Sequence, residues 1–336
     1  MKKIMAILLA ALMLASVFCL AACKKATDPT VTPDPNGNTE EGGDEPAEQT
    51  VDMRIAALKG PTGMGMVKLM GEDQPHYNVS IESAPDALAS RFISGDVDIA
   101  AVPINLASVL YTKLEGDVVV LAVNTLGVLY VLENGDTVHS FADLEGKKLY
   151  ATGQAATPEY ILNYLLEKNG VTADIEYVGE HAALATMLAS GEADIGMLPQ
   201  PNVTAATLKN ADLRIALDLT EEWNKVCDTQ LVQGVIIARK SFVTANSAAV
   251  DIFLRDYEAS TEFVNKNVDE AAKLIAEAEI LPQEALAKKA IPTCNITFIK
   301  GADMKTAVSG MLQVLFEANP KSVGGKLPGD DFYYGA

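Results

Sequence analysis

Gly60-Pro61-Thr62-Gly63-Met64-Gly65 is the stretch whose residue types come nearest to phosphate chemistry. A phosphate loop needs Lys and then Ser or Thr after Gly65, where this chain has Met66 and Val67. The glycines also fall as G-x-x-G-x-G, which is not the dinucleotide fingerprint. What remains is a glycine-rich turn opening a helix over about Met64–Met70. Bare N–H groups at Thr62, Gly63, Met64 and Gly65 would hold an anionic or carbonyl group. The alternative is a plain strand–helix turn. Met64, Met66 and Met70 are spaced for a packed helix face rather than a soft-metal site. His76, His139 and His181 lie far apart without ligand spacing, which argues against zinc. The chain has no G-x-S-x-G elbow. These residues therefore lead to the expectation of no metal, no cofactor, no catalytic residue and no enzyme.

The elements that position these residues are written twice. Ala87–Pro103, ALASRFISGDVDIAAVP, returns at Ala183–Pro199 as ALATMLASGEADIGMLP, displaced by 96 positions. Such a period is too long for a solenoid unit and points to two related lobes. In each copy an Ala/Leu-rich helix runs to Ser-Gly, where Gly95 or Gly191 closes it in the left-handed conformation. A near-continuously apolar strand follows, as in parallel sheets covered on both faces, and proline ends it. In open α/β sheets ligands sit beyond the carboxyl ends of strands, beside helix N-termini.

That rule selects further candidates. The counterpart of the glycine-rich turn is Gly153–Pro158, offering Gln154, Ala155 and Thr157, with Thr157 a candidate N-cap before Pro158. Other strand ends give Ser83 with Asp86, Pro103 with Asn105, Glu180 with His181, then Pro199, Gln200 and Asn202. Asn124 and Thr125, and Thr229 and Gln230, stand near the expected crossings between lobes. Each taken alone reads equally well as a helix cap; taken together they line one cleft.

The chain has 336 residues, 49% hydrophobic and 21% charged, a composition that suits two globular domains. Its net charge of −19 argues against nucleic acid, whose phosphates need basic patches. Aromatics are scarce at 6%, which lowers the case for carbohydrate. Residues 1–22 read as a signal peptide: Lys2 and Lys3, then the apolar run Ile4–Leu20. Residues 23–50 hold four prolines and seven acids and cannot build a core. Residues 51–146 with 232–336 form lobe 1, and residues 147–231 form lobe 2. Strands are expected at Tyr77–Glu82, Val128–Leu132 and Lys148–Ala151, and a helix at Pro85–Ser94. Two chain crossings between lobes suit a hinge. Cys227 and Cys294 are a possible disulfide or two small buried hydrophobes.

Leu20-Ala21-Ala22-Cys23 resembles a bacterial lipobox, in which Cys23 would be the lipidated first residue of the mature chain. With the S-G-x-x-D-I repeat and the phrase ADLEGKKL at Ala142–Leu149, the chain resembles the extracytoplasmic substrate-binding proteins of ABC transporters. The branch it looks like handles nitrate, sulfonates, taurine and thiamine-pyrimidine precursors. The resemblance implies an α/β fold of the type II periplasmic-binding class, with two lobes closing on a solute. It implies a monomer, lipid-anchored outside the cytoplasm, delivering a small molecule to a permease and its ATPase. The acids Asp86 and Glu180 near the cleft favour a small organic solute over an inorganic anion. A lipoprotein sensor or surface interaction module is the alternative. An enzyme like the pyrimidine synthases of this group has less support, since it would need a cysteine-rich motif.

Overall fold

Apolar runs punctuated by glycine and proline set the element order. The computed structural model describes residues 51–336. The leader, Cys23 and the acidic segment after it lie outside the described residues. The strands are β1 (Met53–Leu58), β2 (Tyr77–Glu82), β3 (Ile99–Pro103), β4 (Val119–Thr125), β5 (Leu129–Glu133), β6 (Lys148–Ala151), β7 (Asp174–Tyr177), β8 (Ile195–Pro199), β9 (Arg214–Asp218), β10 (Gly234–Ala238) and β11 (Ile296–Ile299). The helices are α1 (Pro61–Met64), α2 (Pro85–Ser94), α3 (Ile104–Lys113), α4 (Thr157–Asn169), α5 (His181–Ser190), α6 (Asn202–Lys209), α7 (Leu219–Val226), α8 (Lys240–Ala245), α9 (Ser247–Lys266), α10 (Val268–Glu277), α11 (Glu284–Ala290) and α12 (Gly301–Ala318).

Two sheets share one plan. The first has the order β11-β4-β10-β3-β1-β2, the second β7-β6-β8-β5-β9. In each, three parallel strands (β2, β1, β3 or β7, β6, β8) meet an antiparallel strand inserted from the far part of the chain. The inserted strands are exchanged. β5 follows β4 in sequence but pairs with β8 and β9, and β10 returns from the second sheet to lie between β3 and β4.

This pairing moves one expected boundary. Residues 129–133 belong with the second sheet, so the first crossing is Leu126-Gly127-Val128 rather than residue 146. The physical reason is burial: all five residues of β5 are covered, which suits a central strand between two neighbours. The second crossing spans residues 227–233.

The repeat folds as its glycines require. Gly95 (φ +82°) and Gly191 (φ +76°) both close their helices in the left-handed region. The expected helix over Met64–Met70 is instead split into α1 and a 3-10 turn at Val67–Met70. Ser260 on α9 causes the break: its hydroxyl donates to the Gly65 carbonyl (2.7 Å) and accepts the Lys68 N–H (3.2 Å). These bonds replace the ones a continuous helix would make. α9 covers one face of the first sheet through Val250, Phe253 and Tyr257. α7, α8 and β11 carry no marked sequence signal and were not expected.

The two cysteines are not bridged. Cys294 is buried among Val264, Ile275 and Ile291, and burial pushes its thiol up to about 12. Cys227 packs against a different cluster, its Sγ 3.3 Å from Thr229 Oγ1. Each thus takes the second of its two expected roles, as a small apolar filler.

Candidate functional site

A cavity of about 420 Å³ opens between the two sheets, at the carboxyl ends of β1, β3 and β4 on one side and of β6 and β8 on the other. This is the position the strand-end rule selects. Its walls carry six prolines (Pro61, Pro85, Pro103, Pro158, Pro199 and Pro201) and the aliphatic side chains of Leu58, Leu106, Val128 and Leu129. Lys59 and Asp86 are its charged lining residues, and both are exposed. Such a mostly apolar chamber with a few polar groups is the usual form of a small-molecule site.

Ten of the candidate residues line this cavity: Thr62, Asp86, Pro103, Asn105, Thr125, Thr157, His181, Pro199, Gln200 and Asn202. The others do not. Gly63, Met64 and Gly65 are buried against the protein interior. Glycine is required there, since a Cβ at Gly63 would lie 2.6 Å from the Leu58 carbonyl oxygen, and one at Gly65 would lie 2.6 Å from the Tyr257 hydroxyl. Ser83, Gln154, Ala155 and Gln230 are exposed outside the cavity lining. Asn124 is buried behind Gly234, whose added Cβ would meet Asn124 Oδ1 at 2.5 Å.

Several lining residues are occupied with one another. Thr157 is not the N-cap of α4, a place held by Ala156; its hydroxyl donates across the cleft to Asn105 Oδ1 (3.0 Å). Gln200 Nε2 donates to Thr293 Oγ1 (2.7 Å), while its Oε1 accepts from the backbone and hydroxyl of Thr204 (3.2 and 2.8 Å). The Tyr130 hydroxyl donates to the Thr293 carbonyl (3.1 Å). These bonds tie elements of the second sheet to α3 and to the turn after α11. Each neutral bond of this kind contributes about 0.5–1.5 kcal/mol net.

Some N–H groups at or just before the helix starts around the cavity bond to the chain itself. The Ile104 N–H at the start of α3 donates to the Gln233 carbonyl (3.1 Å). Before α4, the Ala155 N–H donates to the Glu159 carboxylate. Gln200 caps α6 through Thr204.

Two deeply buried polar atoms belong to lining residues. Thr125 and Gln233 line the cavity, and Thr125 Oγ1 and Gln233 Nε2 are buried without a hydrogen-bond partner. Their residues are neighbours, since the Gln233 N–H donates to the Thr125 carbonyl (3.0 Å) where β10 begins beside the end of β4. Sequence reading placed Thr125 near a crossing and missed Gln233; a Gln-Gly pair entering a buried apolar strand was the available signal.

His181 opens α5 and sets its Nδ1 2.7 Å from the Thr152 hydroxyl. Burial lowers its pKa, against a smaller upward pull from Glu180, so the ring is neutral near pH 7. A neutral imidazole with Nδ1 engaged leaves Nε2 to give or take a proton.

In sequence, a protein-family model described as menaquinone biosynthesis matches residues 63–297. No curated protein matches the chain significantly. In structure, the chain is similar to a protein described as an ABC transporter from Parabacteroides distasonis (TM-score 0.73, 23% identity, covering 84% of this chain and 98% of that one). It is also similar to the periplasmic aliphatic sulphonate binding protein SsuA from Escherichia coli (TM-score 0.67, 18% identity, 84% and 91% covered). A third likeness is to the periplasmic nitrate-binding protein NrtA from Synechocystis (TM-score 0.58, 11% identity, 81% and 84% covered). At these identities the likeness shows the fold, which is the α/β periplasmic-binding fold that the family resemblance implies. The family match overturns another expectation. Missing nucleophile motifs and metal-ligand spacing read as a chain that is not an enzyme, whereas the matching family is one of biosynthetic enzymes.

Proposed function

The chain belongs to the menaquinone biosynthesis family, and from that premise we propose that the cleft between its sheets receives one small organic molecule. The observation that carries this reading is the cavity at the strand ends, two of whose lining residues, Thr125 and Gln233, hold buried, partnerless polar atoms at Oγ1 and Nε2. Burying a polar group with no partner costs roughly 1–3 kcal/mol, a cost that a bound ligand removes. The apolar remainder of the wall suits a carbon skeleton, and about 420 Å³ suits a metabolite of one or two rings. His181 is the residue suited to move a proton on such a molecule, because its neutral ring lines the same cavity.

A second reading adds delivery. The likeness in fold to the sulphonate- and nitrate-binding proteins, together with the lipobox-like Leu20–Cys23, supports a monomer anchored through Cys23 outside the cytoplasm. It would hand its ligand to an ABC permease and ATPase. Replacing Cys23→Ser would then move the protein from the membrane fraction to the soluble one.

Native mass spectrometry of protein isolated from its own cells tests the shared core of both readings. A small-molecule adduct that is lost with Thr125→Val or Gln233→Leu supports the cleft. An adduct that survives both changes, or no adduct at all, refutes it. Incubating the released molecule with fresh protein then separates the two: a changed mass means turnover, an unchanged mass means capture.

A further inference from the structure

Thr152 is the first residue beyond β6, at the end of the strand where the cavity opens, and it is fully buried. Its place is fixed on both sides. Behind it the chain turns away at Gly153 (φ +80°), where a Cβ would lie 2.7 Å from Pro158 Cγ. Before it the Ala151 carbonyl accepts the Val178 N–H (2.8 Å), which holds the end of β6 against the end of β7 just before α5 begins at His181. The Thr152 hydroxyl and His181 Nδ1 meet at 2.7 Å, and among the described residues that hydroxyl has no other partner.

We propose that the Thr152 hydroxyl donates to Nδ1 and so holds the His181 proton on Nε2, which makes His181 a hydrogen-bond donor toward an oxygen of the molecule in the cleft. The proposal rests on the cleft reading above and deepens it, because it sets the direction in which this ring offers its proton. Thr152, sealed from the cavity, is a positioning residue that acts through His181.

The first support is a count of hydrogens. A hydroxyl has one hydrogen to donate, and a neutral imidazole has one N–H and one bare nitrogen. With the proton on Nδ1, the ring would donate to Thr152 Oγ1 and the hydroxyl hydrogen would be buried without an acceptor. Stranding a buried donor is costly. With the proton on Nε2, the hydroxyl donates to a bare Nδ1 and both groups are satisfied.

The second is that the ring is neutral, so the count applies. Burial lowers its pKa, against a smaller upward pull from Glu180. His181 also occupies the first position of α5, where the positive end of the helix dipole opposes an imidazolium. The charged residues lining the same cavity, Lys59 from the turn after β1 and Asp86 from α2, are both exposed.

The third is access. Nε2 of His181 has no protein partner among the described residues, and unlike Nε2 of His76 it is not sealed from solvent. Its residue lines the cavity. A neutral imidazole N–H suits a carbonyl, carboxylate or ether oxygen, and it stabilises negative charge that builds on such an atom. Taking a proton at Nε2 would need the other tautomer, which strands the Thr152 hydrogen.

Two-bond proton–nitrogen correlation spectra of the ligand-free full chain, with nitrogen-15 in its histidine rings, test this at about pH 8, above the ordinary histidine pKa of about 6.5. The signals lost in His181→Gln assign this ring among His76, His139 and His181. The proposal expects a pyrrole-type Nε2 and a pyridine-type Nδ1, with the Nε2–H form at least about tenfold in excess. Thr152→Val should lower that excess about 3- to 10-fold, the usual effect of losing one neutral hydrogen bond, and should shift Nδ1 to its unbonded position. Thr152→Ser keeps the hydroxyl and should match the parent. Unchanged His76 and His139 signals show that each variant keeps the fold; should Thr152→Val not fold, the parent and Thr152→Ser spectra still decide the tautomer. A pyrrole-type Nδ1 in the parent, or a near-equal mixture of the two forms, overturns the proposal. An unchanged ratio and Nδ1 position in Thr152→Val overturns the part given to Thr152. The tautomer belongs to the free protein, so either failure leaves the cleft reading standing, and the native adduct decides that reading separately.

Discussion

Replacing Thr293→Val should loosen the closure of the cleft without disturbing its walls. Thr293 Oγ1 accepts the cross-cleft bond from Gln200 Nε2 (2.7 Å) and donates to the Ala290 carbonyl (3.1 Å). Gln200 is 3% exposed, so in the closed arrangement its amide would be left buried with no acceptor. Stranding such a group costs about 1–3 kcal/mol, and opening the cleft returns it to water. The ratio of open to closed forms should therefore rise about 5- to 150-fold. Small-angle scattering would register the change as a larger radius of gyration. Trp223, the single tryptophan, packs beside the second crossing and donates from Nε1 to the Thr229 carbonyl (2.6 Å), so its fluorescence gives a second readout. Thr293→Ser retains the hydroxyl and should behave as the parent. A double-mutant cycle with Gln200→Leu should return a coupling energy of about 0.5–1.5 kcal/mol. Unchanged scattering and fluorescence in Thr293→Val, with no coupling to Gln200, would refute the reasoning.

Gly65→Ala should destabilise the fold by about 1–3 kcal/mol in urea unfolding, because the new methyl meets the buried Tyr257 hydroxyl at 2.6 Å; a neutral result would mean that α9 gives way. Asp98→Asn should cost about 1 kcal/mol in the same assay. The carboxylate it replaces accepts the Arg54 backbone N–H (3.0 Å) and Nε (2.9 Å), and with the arginine side chain 51% exposed the charge itself adds little. An equal loss in high and low salt would agree with that division. For His181, burial lowers the folded-state pKa below the ordinary value of about 6.5, so the unfolded chain binds more protons in the window between the two. Stability carried by the neutral ring is complete above about pH 6.5 and is lost as the pH falls toward the folded-state pKa. Urea midpoints of the parent should thus fall more steeply below about pH 6.5 than those of His181→Gln, and parallel curves would contradict this.

The repeat made the fold legible. Glycine at 95 and 191 has a single conformational use at the end of an Ala/Leu helix, and the apolar strands after it have few alternatives. Strand ends then pointed to the right loops, because the carboxyl-end rule depends on topology rather than on side chains. What stayed hidden was pairing over long sequence distance. Asn124 and Thr125 looked equivalent on β4, yet adjacent strand residues face opposite sides. Asn124 turns toward Tyr257, where neither side chain closes a well-formed hydrogen bond, and Thr125 turns to the cavity. Gln233 reaches Thr125 only because β10 inserts beside β4 from more than a hundred residues away. Gln200, Thr157 and Asn105 reached the cleft as expected, but the structure joins them to protein partners across it. The break in the helix after Gly65 was set by Ser260, which no local pattern at residues 64–70 could reveal. The enzyme family was also hidden from short motifs; its match extends over residues 63–297.

Electron density between the sheets, in crystals of protein isolated from its own cells without added ligand, is the most direct measurement. The account predicts one small molecule at the carboxyl ends of β3, β4 and β8, within hydrogen-bond distance of Thr125 Oγ1 and Gln233 Nε2. Water alone at that position, with a native adduct bound elsewhere on the chain, would contradict it.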